Sequence, residues 1–109
     1  MEYININDAM ARLNNNKKLY IMLLKKFDAP KMLDELLGHI KNGDVTAAEA
    51  SAHTIKGLAA NLSLADLRAK AESIDTQLKG GDINADTAEI ELSVTNTVVA
   101  INAWIAENA

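Results

Sequence analysis

The chain is 109 residues long, 49% hydrophobic but only 4% aromatic, without cysteine and with a formal net charge of −4, which suits one compact domain spanning residues 1–109. The absent thiols exclude disulfides, thiolate metal sites and cysteine catalysis, and an acidic balance without a basic stripe argues against a nucleic-acid partner. No charged-then-apolar leader opens the sequence and no stretch approaches the ~20 apolar residues that span a bilayer, so a soluble cytoplasmic domain with no membrane partner is expected.

A short helix is predicted over residues 7–13, stopped by Asn14, Asn15 and Asn16, which favour turns and tolerate left-handed backbone. A second is predicted over 16–27, with Leu19, Met22, Leu23 and Phe27 turned inward. Asp28 and Pro30 read as the opening of a third, which runs to residue 41 on an inward stripe of Leu33, Leu36, Leu37 and Ile40. His39, at the edge of that stripe beside Met32, reads as a partly solvated surface residue. Asn42-Gly43-Asp44 ends this helix and caps the next.

The following helix, over 45–62, carries the chemistry. At about 100° per residue, Ala48, Ser51, Ile55, Leu58, Ala59 and Leu62 cluster as a core stripe. His53 lies almost opposite, flanked by Thr46, Glu49, Ala50, Lys56, Gly57 and Ala60. Lys56, three residues on, places a cation beside the imidazole. Gly57 costs the helix about 1 kcal/mol relative to alanine, and close approach by another molecule is a reason to keep it. An imidazole standing on so smooth a surface suits a nucleophile that reaches into a partner's active site. A solvated histidine, paired at most with Glu49 one turn earlier, is the plainer alternative that helix phase alone leaves open.

Beyond residue 62, Ser63 reads as the N-cap of a helix over 64–79, with Asp66 completing the cap and an inward series of Leu64, Leu67, Ala71, Ile74 and Leu78. Gly80-Gly81-Asp82 is a turn, and no Gly-Lys-Ser/Thr follows to make it a phosphate loop. Ile90, Leu92 and Val94 alternate like a strand, yet Ile90, Val94, Val98, Ile101 and Ile105 keep helical spacing over four turns. The last element is therefore taken as a helix over 84–107, with Trp104 near the bundle end. Short connections between amphipathic helices predict an all-α fold, an up-down antiparallel four-helix bundle with a short extra N-terminal helix. Glu49 and His53 are metal-capable, but di-iron bundles draw on several Glu and Glu-x-x-His sets that this chain lacks, so no metal and no cofactor are expected.

From His53 to Asp75 the chain resembles the histidine-containing phosphotransfer (HPt) family. The pattern is His-x-x-Lys-Gly-x-Ala/Ser, a helix break at glycine, then an apolar helix ending near Leu/Ile-Glu. His53, Lys56, Gly57, Ala59, Leu62, Leu67, Ala71 and Ile74 match it. Ser63 replaces the glycine and Asp75 the closing acid or amide. Upstream, Ala11-Arg12-Leu13 and residues 19–27 look like the family's first helices, so nearly the whole chain is covered. The resemblance implies a phosphocarrier rather than an enzyme. His53 would take a phosphoryl group on Nε2 from a receiver-domain phosphoaspartate or a kinase and pass it to another receiver. Lys56 would neutralise it, Gly57 would clear room, and Asp75 would orient the ring. The partners implied are response-regulator receivers or a hybrid sensor histidine kinase, docking over Thr46, Glu49, Ala50, Ala60 and Asn61 and bringing their own Mg²⁺. A free-standing monomer is expected. A docking adaptor with His53 unmodified, and the phosphoacceptor domain of a chemotaxis-type kinase, are the alternatives.

Overall fold

The computed structural model describes residues 2–109. Six helices follow one another, α1 (Ile6–Arg12), α2 (Lys17–Lys26), α3 (Ala29–Lys41), α4 (Val45–Asn61), α5 (Ala65–Lys79) and α6 (Ala88–Asn108), with no strand among the described residues. The all-α expectation is met. Helix α4 packs on α3 and on α5, α5 on α6, and α6 back on α3, so four helices close a ring, with α2 added against α6. The body measures 41 × 22 × 21 Å.

Local chemistry sets the boundaries. The side chains of Asn5, Asn16, Asp28 and Asp44 each accept a hydrogen bond from the backbone N–H three residues on, opening α1 to α4, the expected N-cap geometry. Helices α3, α4 and α5 end in one shared motif. After α4, Ser63 N–H donates to Ala60 C=O and Leu64 N–H to Ala59 C=O; Gly43 with Asp44, and Gly81 with Asp82, repeat the pair. This is the Schellman arrangement, which needs a left-handed residue after the cap, and Gly43, Ser63 and Gly81 have φ of 72°, 59° and 85°.

Ser63 therefore closes α4 and does not cap α5. The N-cap of α5 is Leu64, without a side-chain cap bond. The N-terminal segment substitutes for it, since Asp66 N–H donates to Glu2 C=O and Asn5 N–H to Ser63 C=O. Ser63 Oγ instead donates to Asp8 Oδ2 at 2.6 Å. The last helix also starts later than predicted, at Ala88. Asp82 and Asp86 accept from the N–H two residues on, at Asn84 and Ala88, and such Asx turns hold the backbone out of a helix.

The core is built from leucine, isoleucine and alanine. On α2 the buried residues are Tyr20 and Leu24, whereas Met22 is exposed; the predicted inward face is rotated by about one residue. Tyr20 spans the bundle end: its hydroxyl donates to Leu62 C=O at 2.6 Å, and its ring meets Trp104 edge-on, centroids 5.2 Å apart. On α4, Ala52 is buried and Leu58 is 38% exposed, reversing the expected order. Leu58 faces a groove of 510 Å³ shared with Leu23, Phe27 and Met32.

Candidate functional site

Capped by Asp44 and anchored through Ala48, Ala52, Ile55 and Ala59, α4 carries its alanine side inward, so neighbouring helices approach closely. Its opposite side presents His53, whose side chain is 62% exposed. Gly57 is exposed one turn later, and nothing lies within 4 Å of where its side chain would begin. The surface beside Gly57 is open.

Asp75, on the inner flank of α5, is only 2% exposed. Its Oδ2 lies 3.6 Å from His53 Nδ1, 3.0 Å from Lys56 Nζ and 3.4 Å from Lys79 Nζ. The first distance exceeds the hydrogen-bond range, so imidazole and carboxylate meet as neighbours without a bond. Lys56 is bonded: its ammonium donates to Asp75 Oδ2 rather than standing free beside the ring. Burial on its own would raise the Asp75 carboxyl, but the hydrogen bond from Lys56 and the nearby Lys79 ammonium outweigh it and hold the pKa below the usual carboxylate value. Asp75 Oδ1 is buried and has no partner.

Lys79 was absent from the sequence reading. It lies one turn beyond Asp75 and also approaches Glu49 Oε1 at 3.9 Å, linking α5 to α4. The i, i+4 spacing of Asp75 and Lys79 was the available signal. Two acidic and two basic side chains thus form one cluster that meets the imidazole through Asp75. Donor atoms of Glu49, His53 and Asp75 fall within 4.8 Å of one another, a metal-capable set that the sequence reading did not assemble. In this structure the ammonium groups of Lys56 and Lys79 occupy the cationic positions around Asp75 Oδ2.

The residues expected to dock a partner differ in exposure and border different hollows. Thr46, Ala50 and Asn61 are exposed, while Glu49 and Ala60 are half-buried. Ala50 borders a depression with Met32, His39 and Thr54. Asn61 lies on the Leu58 groove, and Ala60 on a polar hollow with Asp8, Arg12, Ser63 and Arg68.

A family model, the Hpt domain, matches residues 25–107. The chain belongs to that family. Its members are phosphocarriers of phosphorelay signalling, without kinase machinery of their own, and they work with receiver domains and histidine kinases. No curated protein and no solved structure matches the chain. No helix among the described residues is long and apolar enough to cross a membrane.

Proposed function

We propose that His53 is the phosphoacceptor, taking the group from a receiver phosphoaspartate or a kinase and passing it to the aspartate of another receiver. The observation that carries this reading is an exposed imidazole whose Nδ1 side faces a buried carboxylate holding two lysines. In its neutral form the imidazole supplies a lone pair. Nε2 forms the N–P bond as the acyl phosphate's O–P bond breaks and its electron pair returns to the receiver's carboxylate. The Nδ1 proton stays on the ring, where Asp75 stabilises the positive charge. Lys56 turns from Asp75 towards the dianionic phosphoryl group, adding charge-assisted hydrogen bonds.

Gly57 leaves room for the receiver's loops, and Thr46, Glu49, Ala50, Ala60 and Asn61 form the rim of the contact. The receiver brings the acidic pocket and Mg²⁺, because phosphoryl transfer depends on positioning and charge stabilisation. The working form in this reading is a monomer.

Incubation with a phosphorylated receiver should label the chain with acid-labile, base-stable phosphate. His53→Gln should abolish the label and change stability by no more than about 0.5 kcal/mol, as for other surface substitutions. A labelled His53→Gln chain overturns the assignment. Wild type that binds a receiver but never takes the label favours the docking adaptor instead.

A further inference from the structure

Glu49 lies one helical turn before His53 and reaches Lys79 at 3.9 Å, the same lysine that Asp75 holds at 3.4 Å. Lys56 is held by Asp75 alone and is the more buried cation, 25% exposed against 57% for Lys79. The cluster therefore contains one carboxylate more than is needed to fix Lys56 beside the ring. That second carboxylate, Glu49, has an oxygen within 4.8 Å of an imidazole nitrogen. We infer that Glu49 is a brake on phosphoryl retention: its own charge repels the group on His53, and it draws Lys79 away from that group. The inference rests on His53 being the phosphoacceptor.

The reaction at issue is the exchange itself. An O–P bond to the receiver's aspartate breaks and an N–P bond to His53 forms, with no atom gained or lost beyond the phosphoryl group. The equilibrium constant of that exchange depends only on the separate, undocked proteins. A residue that acts only in docking changes forward and reverse rates together and leaves the constant alone. A residue that repels the bound group changes the constant. This separates the brake from the rim role given to Glu49 above.

Charges of about −1 and −2 on side chains one helical turn apart, near a solvated surface, repel enough to shift an equilibrium by several-fold, up to about tenfold. Glu49→Gln should thus move the exchange towards the phosphorylated chain by about three- to tenfold and lengthen the phosphohistidine lifetime. Glu49→Asp, which keeps the charge, should stay near wild type. Lys79→Gln should move the exchange the opposite way. With Lys79→Gln already present, Glu49→Gln should have a smaller effect, because part of its action passes through that lysine.

The measurement is the ratio of the two phosphorylated proteins at equilibrium, approached from both directions, with circular dichroism confirming the fold. If Glu49→Gln lowers the folded fraction, Glu49→Ala provides the same reading. An unchanged constant with altered rates makes Glu49 a docking residue only and overturns the brake. Failure of wild type to take phosphate at all overturns the phosphoacceptor assignment instead.

Discussion

Replacing Tyr20 with phenylalanine removes a single oxygen from the bundle end and leaves the ring against Trp104. At neutral pH the buried hydroxyl's bond to Leu62 C=O is lost, at a cost of about 1–2 kcal/mol. Burial, with the Asp8 charge as a lesser cause, pushes the Tyr20 hydroxyl from 10.0 up to about 12. A folded-state pKa above the unfolded one contributes stability that is complete below the unfolded value and is lost as pH rises towards the folded value. One unit past the unfolded pKa, near pH 11, wild type should have lost about 1.4 kcal/mol through Tyr20. Tyr20→Phe cannot lose it. The two proteins should differ clearly at pH 7 and nearly coincide at pH 11, since lysine deprotonation affects both alike. Urea unfolding followed by Trp104 fluorescence at pH 7, 9 and 11 measures the gap. A gap that stays constant over this range would refute the argument that the buried phenol resists ionisation.

Gly57→Gln should raise stability by up to ~1 kcal/mol, because glutamine is the better helix former and the space beside Gly57 is open, while phosphotransfer falls sharply; destabilisation in thermal melts would contradict the open-space reading. Ser63→Ala and Ser63→Gly both remove the bond to Asp8, but only glycine relieves the left-handed backbone, so the glycine variant should be more stable by about 1 kcal/mol. Equal stability would mean the strain at φ 59° is negligible. Asp75→Asn should be less stable than wild type at neutral pH. Because the Asp75 pKa is depressed on folding, its contribution exists above the unfolded value of 3.8 and fades as pH falls through the folded one, so the two acid-denaturation profiles should converge below about pH 4.

The face that carries His53 was legible because it depends on one helix's phase and on a glycine that propensity alone does not explain. The inward face of that helix was less so. Hydropathy assigns Leu58 to the core and overlooks Ala52, yet α5 packs close against the small residues, and closeness is set by size. Ser63 misled in another way. Serine is a common N-cap, and only the backbone angle shows it standing where two other helix ends have glycine. The Asp75–Lys79 spacing was readable within one helix, but the reach of Lys79 to Glu49 depends on how α5 registers against α4, which no local pattern encodes. The start of α6 moved for the opposite reason: Asp82 and Asp86 make bonds within two residues that compete with the helix.

The matched segment and the physical unit have different edges. The matched segment begins at residue 25, yet the phenol that closes the Leu62 carbonyl, the Asp8 carboxylate that accepts from Ser63 and the Glu2 carbonyl that accepts from Asp66 all precede it. All three meet the chain between α4 and the first turn of α5, where the helix that carries His53 passes into the helix that carries Asp75. A protein cut to the matched segment would keep every residue of the phosphotransfer pattern and lose the three bonds that brace the turn between their two helices. The match marks the segment that shares the family's pattern; the folded unit around His53 and Asp75 is completed by residues outside it.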